Sequence, residues 1–309
     1  MPDFAAQEYW DSRFSKDPKP FDWLLPSKVL FDICKEVLER ATLLSTAEPE
    51  ILHIGCGTSE SHPFRTLPGI KDPKQILNVD YSQPAIQAAS KREQEILADE
   101  HVQSLLEPGA KHDSVQQSEL PPPMGWLCID LLSLHSALSL LHLRMKAGKL
   151  FDIVLDKSTS DSIACGPAVD TTLPYLLSIN GWTSRISGSG TAQLASVHPL
   201  HILAVHLAAL TRPRTGRWIV VSYSEDRFPF VPPFPATVGN GLLADDIIKA
   251  GFPHPHQLWR LEAKEQIEPE EHNETLAERK KRISSGYVHR PRVSHWLYIL
   301  RRTDALVTD

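Results

Sequence analysis

ILHIGCGTSE, residues 51–60, is a short apolar run, then two glycines flanking a cysteine, then small polar residues. A buried strand that ends in a glycine turn opens the nucleotide-binding unit of an open α/β sheet. The third glycine of a dinucleotide turn would fall at position 60, where Glu60 stands, and the Lys-Ser/Thr pair of a phosphate loop is missing as well. The turn therefore asks for a nucleotide-like ligand of another kind.

Outward from this stretch, similar runs recur: EILHIG (50–55), QILNVD (75–80), GWLCID (125–130), FDIVLD (151–156) and GRWIVVSYS (216–224). The first four end near Gly or Asp, as buried parallel strands do. Helical patterns at 27–42, 84–100, 133–147 and 197–211 separate them, which predicts an α/β fold with a parallel sheet covered on both faces. SHWLYILRR (294–302) is expected to pair with WRLEAK (259–264) as an antiparallel hairpin at the sheet edge. Three stretches read as surface insertions in a single domain spanning 1–309: the polar 101–123, the loop 180–196 around GSGTAQ, and 265–292 with its acidic run and ERKKR. FPFVPPFP (228–235) is too apolar for a solvated linker and is expected to line a surface groove.

Of the 309 residues, 41% are hydrophobic and 23% charged, and the net charge is -6, so nothing suggests a general nucleic-acid binder, a local basic patch being the alternative. Cys34, Cys56, Cys128 and Cys165 lack C-x-x-C pairing, so no metal site is expected. MPDFAAQEYW has no basic region and no apolar signal core, and no stretch reaches the roughly 18 apolar residues of a membrane span. The expectation is a soluble cytoplasmic monomer, nuclear location being the alternative, with neither a membrane nor nucleic acid as partner.

Ligands in such a sheet lie beyond the carboxyl ends of the strands. Those ends carry Gly55-Cys56-Gly57-Thr58-Ser59, then Asp80-Tyr81-Ser82, then Asp130-Leu131, then Asp156-Lys157-Ser158-Thr159. Asp80 follows Gly55 by 25 positions, the distance at which an acid reaches the ribose hydroxyls of a nucleoside held on the first turn. A pyrophosphate would be repelled by Glu60 and the acids that follow, whereas a nucleoside bearing a sulfonium would be favoured. S-adenosylmethionine therefore fits better than NAD or ATP. Asp130 is then placed for the adenine amino group and the Leu131 amide for the ring.

The succession IGCGTSE, NVDYS, CIDL and FDIVLDKSTSD, with YWDSRFSKDPKPFDWL (9–24) before it, resembles class I methyltransferases of the methyltransferase-like-13 type, among them the elongation factor 1A lysine methyltransferases. The likeness covers roughly 9–100, 125–180 and 197–230 and the final HWLYILRR. It implies a Rossmann-like seven-stranded fold and a segment, 1–26, that covers the cofactor through Tyr9, Trp10 and Arg13, with Trp23 packed nearby and Arg13 facing the cofactor's carboxylate. Gly55, Cys56, Gly57 and Ser59 would shape the turn around the methionine part; Asp80, Tyr81 and Ser82 would hold the ribose; Asp130 and Leu131 would hold the adenine. The family has glycine where this chain has Ser158 and leucine where it has Ser160.

Asp156 is expected to orient the incoming amine or the cofactor's amino group, with Lys157 and Asp161 shaping the acceptor channel and Tyr223 and Ser224 forming its wall. The resemblance implies a protein-lysine N-methyltransferase acting on a translation factor such as elongation factor 1A. The acidic EAKEQIEPEEHNE (262–274) would serve as an approach surface for a basic partner. A small-molecule methyltransferase and a catalytically silent binding module are the alternatives.

Overall fold

The computed structural model describes residues 2–42, 48–106, 120–175, 177, 192–232, 243–267 and 294–307. Five parallel strands, β1 (Ile51–Ile54), β2 (Ile76–Asp80), β3 (Gly125–Cys128), β4 (Ile153–Lys157) and β7 (Arg217–Ser222), form most of a seven-stranded sheet. Its order is β3-β2-β1-β4-β7-β9-β8; β9 (His295–Arg302) runs antiparallel to β7, and β8 (Trp259–Ile267) antiparallel to β9. This is a Rossmann-like, mostly parallel seven-stranded sheet with the expected edge hairpin. The chain leaves β1 toward β2 on one side and returns to β4 on the other, so the switch in strand order lies between β1 and β4.

Strand side chains alternate between two cores, which is why these runs are apolar throughout. Leu52, Val154, Trp218 and Val220 pack with α4 (Leu134–Lys146) and α6 (Pro199–Leu210). Ile51, Ile153, Leu155, Ile219 and Val221 pack with α2 (Ser27–Thr42) on the other face. All twelve residues of α6 are buried, so this helix is the centre of the larger core rather than a surface element. Before α2 lies α1 (Gln7–Lys16), which buries Trp10 and Phe14 in a separate aromatic cluster.

Several expectations change. The helix at 84–100 is α3 (Gln83–Leu106), which takes up the first residues of the expected 101–123 insertion; 107–119 lie outside the described residues. Within 180–196, the last residues are not loop: they form β6 (Gln193–Val197), which pairs antiparallel with β5 (Val169–Leu173); 180–191 lie outside the described residues. The start of 265–292 belongs to β8, and 268–292 are likewise outside. Phe228, Phe230 and Val231 do not line a groove; they are at most 5% exposed and belong to the main core, Phe228 stacking edge-on against Trp218. The short helices α5 (Thr159–Ile163), α7 (Asp245–Lys249) and α8 (Pro255–Leu258) and two 3-10 turns, His62–Thr66 and Pro73–Gln75, complete the described elements.

Candidate functional site

The cavity of about 220 Å³ lies at the switch point, above the carboxyl ends of β1, β2 and β4. Its floor is the β1 turn. Gly55 and Gly57 both adopt left-handed backbone, φ 54° and 53°, which favours glycine. A Cβ on Gly55 would come within 2.1 Å of the Thr159 hydroxyl, itself donating to the Ile54 carbonyl at 3.0 Å. A Cβ on Gly57 would stand 3.2 Å from the Phe14 ring. The two glycines thus let α5 and α1 close on the turn from opposite sides.

Asp80 joins the turn to the end of β2. Its Oδ2 accepts from Gly57 N at 2.9 Å and its Oδ1 from Ser82 N at 2.8 Å, which leaves a further lone pair on each oxygen. Burial raises its pKa to about 6 against the opposing pull of those amides, and Asp11 on α1 pushes the same way as burial. One carboxylate oxygen of Asp11 is itself buried with no hydrogen-bond partner among the described residues. On the β3 side, Ile129, Asp130, Leu131 and Leu132 form a wall, with Leu132 N donating to Asp130 Oδ1 at 2.8 Å.

The roof comes from the N-terminal segment: Ala5, Trp10, Phe14, Phe21 and Trp23. Trp10 stacks on Phe14 and meets Trp23 edge-on at 5.5 Å. Lys157, at the end of β4, holds this roof down. Its Nζ pairs with Asp22 Oδ1 at 3.2 Å and donates to the Trp23 carbonyl at 3.3 Å, and burial lowers its pKa against the raising effect of Asp22. The remaining wall is apolar: Ile163, Pro167, Val169 and Pro199 from α5, the β5 hairpin and the start of α6.

Of the residues expected around the cofactor, Trp10, Gly55, Gly57, Ser59, Asp80, Tyr81, Asp130 and Leu131 line this cavity. Tyr9, Arg13, Cys56, Ser82 and Asp156 do not. Tyr9 packs edge-on against Phe4 and Trp10, and the Arg13 guanidinium lies 4.0 Å over the Phe21 ring. Cys56 is buried, with its N–H bonded to the Val79 carbonyl. Ser82 gives its amide to Asp80. Asp156 is wholly buried and accepts from Thr159 N, Ser160 N and Trp218 Nε1, which makes it the cap of α5; burial raises its pKa to about 7.

Of the acceptor-side residues, only Lys157 lines the cavity. Asp161 is buried and paired with Arg227 at 2.8 Å, and it accepts from the Ser222 hydroxyl and the Tyr223 amide. The Tyr223 side chain is 42% exposed beside Arg227. Glu60 is also away from the cavity, at the surface within 3.7 Å of Arg92. Glu262 at the start of the acidic run is bound by Arg217 through both oxygens. The sequence reading missed Phe14, Phe21, Ile163, Pro167, Val169 and Pro199; the Phe-Asp-Trp stretch at 21–23 was the one available signal.

These groups fit S-adenosylmethionine. Among the described residues Lys157 is the one basic side chain on the cavity, and it is committed to Asp22 and Trp23, so phosphates would meet no free cation. A diol would meet the open lone pairs of Asp80, and a sulfonium would meet acids and the faces of aromatic rings, which attract cations.

No family model matches the chain. The methyltransferase srdJ of Neurospora crassa is 27% identical over 165 residues, which are 53% of this chain and 56% of that protein; the match spans about half of either. Among solved structures, the SAM-dependent methyltransferase from Agrobacterium tumefaciens aligns at 14% identity and TM-score 0.40, over 89% of this chain and 61% of its own. The magnesium protoporphyrin IX methyltransferase ChlM from Synechocystis PCC 6803 with bound SAM aligns at 12% identity and TM-score 0.39, over 97% and 98%.

Proposed function

We propose that this chain is an S-adenosylmethionine-dependent methyltransferase. The observation that carries the proposal is the Gly57–Asp80–Ser82 cradle, open toward a cavity with acids and aromatic rings but, among the described residues, no uncommitted cation. When bound, the cofactor supplies a methyl group on a sulfonium, open to in-line displacement. Asp80 holds the ribose hydroxyls, and Asp130 with the Leu131 backbone holds the base. Trp10, Phe14, Phe21 and Trp23 exclude water from the methyl group, so the work of the site is positioning.

The acceptor we infer is the Nζ of a lysine in a protein, with a translation factor such as elongation factor 1A as partner. This finer reading rests on the family resemblance of the Asp156–Asp161 stretch and the N-terminal pattern. A lysine must arrive neutral. Asp156 and Asp161 are both tied up internally, so loss of its proton falls to desolvation against Ile163, Pro167, Val169 and Pro199, which lowers an amine pKa. The same apolar wall favours a second reading, an apolar small-molecule acceptor.

Incubation of the purified chain with methyl-labelled cofactor and a cell lysate separates the two. Label in a protein band, absent with Asp80→Ala, supports the lysine reading, and label confined to low-mass material replaces it with the second. Calorimetry that finds no cofactor binding overturns the methyltransferase proposal itself.

A further inference from the structure

His206 sits in α6, wholly buried in a helix whose other residues are apolar except for His201. Its Nδ1 lies 2.6 Å from the Leu131 carbonyl and its Nε2 lies 2.6 Å from the Tyr175 hydroxyl. A carbonyl can only accept, so Nδ1 carries the proton; Nε2 is then the acceptor and Tyr175 the donor. Every polar atom of the imidazole is satisfied in one tautomer and in the neutral form. Burial, which lowers the His206 pKa, works in the same direction.

The two partners lie on different elements: Leu131 is in a wall of the cavity, and Tyr175 lies behind it, beyond the end of β5. Leu131 is part of the 129–132 wall; there Ile129 N is fixed to the Asp80 carbonyl and Leu132 N to Asp130, while the Leu131 carbonyl accepts from His206 Nδ1. Tyr175 follows β5, whose Val169 lines the acceptor side, and is fixed in turn by its N–H to the Gly251 carbonyl and by its ring against Phe252. With both ring nitrogens bonded, His206 avoids the cost of an unpartnered buried polar atom while joining two segments.

We propose that His206 is a positioning residue: through Leu131 it sets the base-contacting wall of the cofactor site, and through Tyr175 it ties that wall to the β5 segment. The proposal rests on the cofactor reading above, in which Asp130 and Leu131 meet the adenine.

The test is calorimetry of the full chain with S-adenosylhomocysteine and with S-inosylhomocysteine, which differs at the base edge that Asp130 would meet. His206→Leu is expected to weaken adenosylhomocysteine about tenfold, the order of one lost buried hydrogen-bond partner, and to shrink the preference for adenosyl over inosyl. His206→Gln, which can donate to Leu131 and accept from Tyr175, should stay within about threefold of wild type. Tyr175→Phe keeps the ring and removes only the hydroxyl; it should lose about threefold and decides the matter if His206→Leu does not fold.

Unchanged affinities, or equal losses for both ligands with the preference intact, would overturn the positioning role, since a purely structural residue lowers stability without moving that ratio. If Asp80→Ala abolishes binding while the His206 and Tyr175 variants bind normally, this inference alone fails. Absence of binding by the wild-type chain would remove both readings together.

Discussion

Ser158 holds the left-handed conformation, φ 64°, between β4 and α5, and its buried hydroxyl has no hydrogen-bond partner among the described residues. The resembling family has glycine there, and the backbone explains why: only glycine enters this region without strain, which costs other residues about 1–2 kcal/mol. Ser158→Gly should therefore raise stability by about 1 kcal/mol, read as a higher melting temperature; a lower one would show that packing of the side chain outweighs the strain. Asp80 yields a pH prediction. Its pKa rises on folding from 3.8 to about 6, so between those values the folded chain keeps a proton the unfolded chain has lost. Its contribution to stability is then full below about pH 4 and is lost as pH rises through about 6. Cofactor binding should run the opposite way, because hydroxyl donors and a sulfonium favour the carboxylate. Affinity should climb by up to about tenfold per unit to about pH 6 and then level off. Asp80→Asn should bind weakly with a flat profile; a sloping one would place the titration elsewhere.

At the scale of elements, the N-terminal segment behaves as a strap whose fastening is Lys157. Lys157→Met keeps the apolar stem and removes the contacts to Asp22 and Trp23. Because Asp22 is 29% exposed, the loss should be about 1–2 kcal/mol, below that of a fully buried pair. It should show as faster proteolysis between residues 17 and 26 and faster cofactor release, with little change in the melting of the sheet. Proteolysis at the wild-type rate would mean that the aromatic cluster and the bonds of Thr58 and Ser59 to the Lys19 and Phe21 carbonyls fasten the strap without Lys157. This contact also shows where the sequence stops being legible. Gly55, Gly57, Asp80 and Asp130 could be read because a strand end and its turn are local, so spacing alone brings them to one edge. Lys157 meets Asp22 across 135 positions, which no spacing rule reaches. The β5–β6 pair escaped notice for a similar reason: QLASV is mostly exposed and only its last residue is buried, so it carries no apolar run. FPFVPPFP misled in the other direction, because proline density masked side chains that belong to the main core.

The whole molecule depends on how β9 is seated, since it enters between β7 and β8 and runs against the parallel strands. Arg302 ends it, 3% exposed and paired with no carboxylate among the described residues. Its Nε donates to the Ala208 carbonyl at 2.9 Å, and its two terminal nitrogens donate to the carbonyls of Leu258, Thr303 and Ala305. Ala208 lies in the last turn of α6, where carbonyls have no partner within the helix. Because that end of α6 is buried, other elements must supply the donors: Thr211 Oγ1 serves Leu207 and Phe151 N serves Leu210. One planar, five-donor side chain thus closes a helix end and joins it to the edge hairpin and the closing residues. In the sequence it looks like half of an ordinary charged pair at the end of HWLYILRR. Arg302→Met should cost about 2–4 kcal/mol, the scale of several buried carbonyls left without donors. Arg302→Lys, with donors radiating from one nitrogen instead of a fork, should fall between the two. Urea unfolding should show this as a lower midpoint at unchanged slope. Cofactor affinity in the still-folded protein should be untouched, because none of these contacts reaches the cavity. A midpoint within about 0.5 kcal/mol of wild type would mean that water replaces the guanidinium at no cost, and the hairpin would then be held by its strand pairing, its core side chains and the Trp259 bond to the Ala204 carbonyl.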